Sequence, residues 1–405
     1  MTAAGEGRTE FVDEMLELLW PAPESARRVR ARRSQPGSRD LVMIPGARAP
    51  HLLVPLTSRA ATARVIDSWG RAGSPQRRLA GSVLSWGVRL GLAGLLTADR
   101  VRVPGAGEGS LLERHLSEVV GCPVSLTVIV TRARANRKPV LQLVDQEGVV
   151  RAFVKVGTDE LTRGLVQAET TALRSVSGVS SVRVPQVLAA GGWNGLELLV
   201  LSPLDLAAAQ RVRDLTRWEP AMREVSRIGG VTREPWLNSQ YRSSLHSRVH
   251  LLAEARAGRL AAALAQVDRC LHDQSLLIGS WHGDWATWNC GATDGTGYLW
   301  DWERFASGVP VGYDAAHFLT HQTLLDPALE TAALVPGYSA ALAPVLARLG
   351  VPEAQAKVVT LLYLVEIAVR YLTDGQDEVG NVGAVLEGMI DGIVAASRQL
   401  VEEVA

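Results

Sequence analysis

Two short stretches constrain this chain more than anything else in it. They are Trp281-His282-Gly283-Asp284-Trp285-Ala286-Thr287-Trp288-Asn289 and Leu299-Trp300-Asp301-Trp302-Glu303. The first reads as a buried loop that offers one carboxylate, Asp284, and five residues later a carboxamide, Asn289. The second places Asp301 after a short apolar strand, Gly297 to Trp300. Hard oxygen ligands of this kind suit Mg²⁺ on phosphate groups, and a separate carboxylate suits the orientation and deprotonation of a hydroxyl. Asp284 fits the base, while Asn289 and Asp301 fit the metal, with Glu303 near enough in sequence to join them. Together these residues read as a phosphoryl-transfer centre.

The order Asp, four residues, Asn, then strand and Asp is the kinase catalytic-loop signature, with His282-Gly283-Asp284 at its head. His-Gly-Asp-x-x-x-x-Asn followed by Asp-Trp-Glu resembles the aminoglycoside phosphotransferase and choline kinase group of small-molecule kinases, over roughly residues 120 to 320. The resemblance implies an α+β, protein-kinase-like two-lobe fold, with a five-stranded antiparallel small lobe, a mostly helical large lobe and an added N-terminal α/β segment. It sets the expected boundaries at 1–118 for an N-terminal extension or domain, 119–204 for the small lobe and 205–405 for the large lobe. It also implies transfer of the γ-phosphoryl group of ATP or GTP to a hydroxyl of a small molecule, with Mg²⁺ as cofactor and a sugar or amino-sugar-like acceptor favoured.

Further residues follow from the pattern. Val124 to Val130, Val140 to Val144 and Val149 to Val156 read as three antiparallel strands, and Val184 to Ala190 and Leu196 to Leu201 complete the small lobe. Lys155 on the third strand matches the lysine that reaches the nucleotide phosphates, and Glu169, in a helix from Asp159 to Ser175, matches its orienting partner. The link at 131–139 lies where a kinase has its glycine-rich phosphate loop and contains no glycine. Phe153 shares the strand face of Lys155, where protein kinases usually carry a small residue. Trp285 and Trp288 offer aromatic faces for an acceptor platform, with packing of the loop onto the large lobe the slightly favoured reading for each. His282 reads as a structural residue of the loop, Asp314 as a helix cap, and Glu366 with Arg370 as an ion pair one turn apart, the alternative being that these two, with Tyr363 nearby, line an acceptor pocket.

The N-terminal segment reads as a helix over 1–20, a basic run at Arg27 to Arg33 taken as solvated, strands at Asp40 to Ile44 and His51 to Leu56, and helices to Trp69 and over Pro75 to Leu96. A strand at Val101 to Val103 and a helix at Leu111 to Val120 finish it. It reads either as an added domain or as an elaboration of the small lobe. Beyond the small lobe, helices are expected at Leu206 to Trp218, Tyr241 to Leu252, Arg259 to Ser275, Pro327 to Leu334, Tyr338 to Leu349, Pro352 to Leu372 and Val379 to Val401.

Lys+Arg and Asp+Glu balance at 42 each, so no global field points to nucleic acid or an anionic membrane. The three cysteines match no metal spacing and suit reduced thiols. No signal peptide is expected in the first thirty residues and no run is long enough to span a bilayer, so the expected location is cytoplasmic. A rival reading is a catalytically inactive kinase-like module that binds a nucleotide or partner, favoured by the glycine-free link and Phe153. Nucleotidyl transfer on the same fold is a third. The pattern specifies neither the acceptor nor the oligomeric state.

Overall fold

The computed structural model describes residues 3–71, 75–92, 98–105, 109–130, 138–176, 178–206, 208–293, 295–323, 334–378 and 382–404. The chain divides into two units, Met1–Gln167 with Gln186–Pro203 and Ala168–Pro185 with Leu204–Ala405. The α+β class expected from the sequence is the one observed: one unit is built on a large antiparallel sheet and the other is mostly helical.

The strands of the first half of the chain are β1 (Arg27–Arg30), β2 (Ser38–Ile44), β3 (Leu52–Pro55), β4 (Asp99–Pro104), β5 (Ser125–Ile129), β6 (Val140–Val144), β7 (Val150–Gly157), β8 (Val182–Arg183), β9 (Val187–Trp193) and β10 (Leu196–Leu201). All but β8 form one sheet in the order β1-β4-β2-β3-β5-β6-β7-β10-β9. The five expected strands are therefore joined by four from the N-terminal segment, which enter through Leu52 and Leu53 of β3 against Ile129 and Val128 of β5. Side chains alternate across this sheet, as period two requires. Leu41 and Met43 of β2 pack with Phe11, Met15 and Leu19 of the helix Ala3–Leu19 and with Leu112 and Leu116 of the helix Leu111–Val120. Val42 and Ile44 join Val65 and Ile66 of the helix Arg59–Arg71 on the other side. The helix Leu111–Val120 starts at a full capping box between Ser110 and Glu113 and ends at the left-handed Gly121.

The arginines of the basic run are exposed, as expected of a solvated segment, while its backbone is ordered: Arg27–Arg30 is an edge strand paired to β4. The buried Asp40 carboxylate accepts from Arg100 Nη1 at 3.2 Å and Arg102 Nε at 2.8 Å. The same two guanidinium groups donate to the Arg32 and Arg33 carbonyls. The chain at the basic run is thus held by main-chain pairing and by carbonyls that arginine can satisfy. The third helix of this segment, Pro75–Arg89, stops short of Leu96, with Gly91 left-handed just beyond it.

In the second unit, β11 (Thr232–Pro235), β12 (Ser275–Trp281) and β15 (Ala306–Pro310) form one small sheet. A second joins β13 (Cys290–Ala292) and β14 (Gly297–Leu299) to β8. Two expectations change here. Among the described residues of 206–218 there is no α-helix, because Gln210 makes two backbone hydrogen bonds to Ala292 and only a short 3₁₀ turn, Leu215–Arg217, precedes the helix Glu219–Ser226. The helix before the loop ends at Cys270, and β12 leads into the loop instead. The expected helix at Pro327 to Leu334 lies almost wholly outside the described residues, as does the link 131–139 over residues 131–137. No helix among the described residues is long and apolar enough to cross a membrane.

Candidate active site

The loop begins where β12 ends. Gly283 has φ +84°, and a Cβ there would lie 2.0 Å from the Arg304 carbonyl oxygen, so the turn admits only glycine. Asp314, in the first turn of the helix Tyr313–Thr323, ties the loop down: its Oδ2 accepts the His282 amide at 2.9 Å and its Oδ1 accepts the Gly283 amide at 3.2 Å. It is a loop tether, not the helix cap expected. Burial pushes its carboxyl up to about 7, against the two amide hydrogen bonds that favour the charged form. Arg370 donates to the Gly283 carbonyl from the helix Ala356–Thr373. The expected Glu366–Arg370 pair is replaced, since Glu366 accepts both Arg248 Nη atoms at 2.7 Å and the Tyr241 hydroxyl at 2.9 Å. His282 is structural, as read. It accepts the Asp284 amide at Nδ1, so its Nε2–H points to the Trp300 carbonyl at 3.2 Å, and burial holds it down to about 4.

Asp284 is 28% exposed, which leaves its carboxylate reachable. Its Oδ2 accepts Asn289 Nδ2 at 2.7 Å, and the Asp284 carbonyl accepts the same amide at 3.0 Å. The amide nitrogen is thereby committed, and Oδ1 is the atom Asn289 has left to offer a cation. Asp284 Oδ1 accepts from His317 Nε2 at 3.1 Å, and the Tyr363 hydroxyl lies 2.9 Å from His317 Nδ1. A carboxylate only accepts, so Nε2 carries the proton and Nδ1 takes one from Tyr363. Burial raises the Asp284 carboxyl, but the His317 hydrogen bond and the Arg370 charge outweigh it and hold the group well below the usual carboxylate range. Burial lowers His317 below the ordinary imidazole value, against the Asp284 hydrogen bond that raises it. His321 follows one turn on, its ring centroid 4.3 Å from that of His317, its Nε2 3.2 Å from the Tyr371 hydroxyl, and its imidazole driven by burial to about 3. His317, His321, Tyr363 and Arg370 come from helices far along the chain; Arg370 stands out in sequence only through its spacing from Glu366, and the two histidines only through their four-residue spacing.

Beyond β14, Asp301 adopts a left-handed backbone, φ +70° and ψ +60°, uncommon for a residue with a side chain. One of its carboxylate oxygens groups with one from Glu169 and one from Glu303, each of the three within 4.8 Å of the others. Glu169 is fully buried, and its Oε1 accepts the Trp302 amide at 3.2 Å. Glu169 thus stands with the carboxylates, a grouping not expected from the sequence. Its helix, Glu160–Ser175, crosses the division between the two units. Lys155 belongs to the first unit, half-buried on β7 and on the opposite face from Val154 and Val156, which are in the core.

The two tryptophans part company. Trp285 is fully buried, edge-on to Trp218 and His282, so it packs the loop and cannot serve as an acceptor platform. Trp288 is 37% exposed, with its ring edge-on to His321 at 4.9 Å. Cys290 is buried and its thiol is pushed by burial to about 12.

Neither a protein-family model nor any curated protein matches the sequence. Among solved structures, the chain is similar to a thermostable mutant of the aminoglycoside phosphotransferase APH(4)-Ia in a ternary complex with ADP and hygromycin B. The identity is 16% and the TM-score 0.47, covering 70% of this chain and 98% of that one. It is also similar to the amicoumacin kinase hAmiN in complex with AMP-PNP, Ca²⁺ and Ami, at 13% identity and TM-score 0.43 over 67% of this chain and 88% of that one. A choline/ethanolamine kinase family protein from Mesorhizobium loti matches at 14% identity and TM-score 0.42, over 65% and 90%.

Proposed function

We propose that this chain is a nucleoside-triphosphate-dependent kinase that phosphorylates a hydroxyl group of a small molecule, a sugar or amino-sugar-like acceptor being favoured. One observation carries the reading: a reachable carboxylate is fixed at both oxygens, by Asn289 and His317, at the head of a loop whose sequel ends in a group of three carboxylates. Asp284 receives and orients the acceptor hydroxyl. A loose phosphoryl-transfer transition state asks for position and charge more than for a strong base, so the low basicity of Asp284 is compatible with the role. His317, locked by Tyr363, keeps the carboxylate aimed and its charge in place.

The oxygen-only donor set of Asp301, Glu303 and Glu169, with Asn289 Oδ1, suits a hard divalent ion. Mg²⁺ held there would neutralise charge on the nucleotide phosphates. Lys155 steadies those phosphates in this reading, with ATP or GTP as donor.

The same low basicity is the observation that favours the rival, a kinase-like module that binds nucleotide without turnover. A thermal-shift titration with ATP and GTP, with and without Mg²⁺, followed by ADP release over a panel of sugars and amino alcohols, separates the two. The kinase reading expects a Mg²⁺-dependent shift that Asp301→Ala loses, and turnover that Asp284→Ala loses while keeping the shift. Nucleotide binding with no ADP release from any acceptor would favour the module. Pyrophosphate in place of ADP would mean nucleotidyl transfer.

A further inference from the structure

We propose that Asp284, His317 and His321 form a binding site for a divalent transition-metal ion of the zinc class, and that its occupation switches phosphotransfer off. The second half of this takes Asp284 as the acceptor-orienting carboxylate, and so rests on the function proposed above.

The site is built from two elements. His317 and His321 sit four residues apart on the helix Tyr313–Thr323 and so share a face. The loop brings Asp284 to them, and one ligand atom from each of the three lies within 4.8 Å of the others. In a tetrahedral zinc site with bonds of about 2.0 Å, neighbouring ligand atoms stand about 3.3 Å apart. Asp284 Oδ1 and His317 Nε2 are already 3.1 Å apart. Two imidazoles and one carboxylate are the donors that zinc, cobalt and nickel select, whereas the carboxylate-only group at Asp301 suits magnesium. The two sites therefore differ in the ions they prefer.

A hydrogen bond that orients Asp284 would account for His317 by itself. It does not account for His321, a second buried imidazole 4.3 Å from the first, whose Nε2 meets the Tyr371 hydroxyl at 3.2 Å. The outer contacts also suit a metal. Ligating histidines generally have their other ring nitrogen on a hydrogen-bonding partner, and Tyr363 supplies one for His317. In the metal-free chain His317 holds its proton on Nε2 and accepts from the Tyr363 hydroxyl at Nδ1. With an ion bound, the proton moves to Nδ1 and is donated to the Tyr363 oxygen, while the Nε2 lone pair goes to the ion. A hydroxyl both donates and accepts, so Tyr363 serves either tautomer and His317 releases no net proton. An ion on Oδ1 occupies the edge of the carboxylate that His317 otherwise aims, and withdraws its charge from the acceptor hydroxyl.

The test is a Co²⁺ titration of the full chain after chelator treatment, read by visible absorption, with Zn²⁺ as competitor and calorimetry for stoichiometry. The expected result is one tetrahedral Co²⁺ per chain, displaced by Zn²⁺. His321→Gln should lose more than the roughly 10–100-fold in affinity that removal of an outer hydrogen bond costs, and Tyr363→Phe should lose about that much. Melting temperatures of both variants check that they fold. Co²⁺ binding unaffected by His321→Gln, or abolished by Asp301→Ala, would put the ion elsewhere and overturn the site. Mg²⁺-dependent turnover with no Co²⁺ binding would overturn it too, and leave the kinase reading standing. Co²⁺ binding as expected, in a chain that never releases ADP, would keep the site and remove the kinase reading.

Discussion

Replacing Asp314 by asparagine isolates the loop tether. The wild-type carboxyl is raised by burial from the ordinary value near 3.9 to about 7, so the folded chain binds this proton more tightly than the unfolded chain does. A carboxyl raised in the native state adds stability below its unfolded pKa, and that stability is lost as pH rises through the native value. Between pH 5 and pH 8 the native group releases nearly a full proton that the unfolded group has already lost, a change worth about 2.5 kcal/mol at about 1.36 kcal/mol per unit. The carboxamide of the variant does not titrate. It also keeps one acceptor for two loop amides and turns an N–H toward one of them, a cost of about 1–3 kcal/mol that does not vary with pH. The assay is chemical denaturation of wild type and Asp314→Asn at pH 5, 6, 7 and 8. The stability advantage of wild type over the variant should shrink by about 2.5 kcal/mol from pH 5 to pH 8. A constant difference across that range would refute the claim that burial holds Asp314 protonated.

Three further outcomes are expected. Gly283→Ala should abolish turnover and lower the melting temperature, because its Cβ meets a backbone carbonyl at 2.0 Å; wild-type kinetics in this variant would mean that the turn is not rigid. Glu366→Gln should destabilise the chain by about 2–3 kcal/mol, below the full cost of a broken buried pair because Arg248 is 36% exposed, as read by denaturant midpoint. Arg370→Met should lower kcat with little change in nucleotide affinity, since it frees the Gly283 carbonyl while leaving the carboxylate group at Asp301 intact; a selective loss of nucleotide affinity would contradict that placement.

The parts legible in the sequence are those whose chemistry is local. Asp284, Asn289 and Asp301 announce themselves by spacing, and β5, β6, β7, β9 and β10 by alternation. What escaped depends on chain meeting chain. Glu366 and Arg370 sit at an ion-pair spacing, yet Arg248 offers Glu366 two hydrogen bonds from another helix, and Arg370 finds a loop carbonyl. The short apolar run Ser275–Trp281 fits a strand or the end of a helix equally well until β11 and β15 pair with it. Trp285 and Trp288 are alike in sequence and opposite in exposure, because only Trp285 meets Trp218. Asp314 reads as a cap until the two amides it holds are known.

The nine-stranded sheet bears on how this protein can be handled. β5 is an inner strand because β3 covers it, and the apolar face beneath is completed by Phe11, Trp20 and Leu112. A chain trimmed to begin at residue 119 would bare a row of unpaired main-chain groups along β5 beside a freshly exposed oily surface, the combination that recruits strands from other molecules. Such a fragment should collect in inclusion bodies while the full chain stays in solution. The strands and helices before β5 are thus part of the same sheet and the same core as the strands after it, not a detachable appendage.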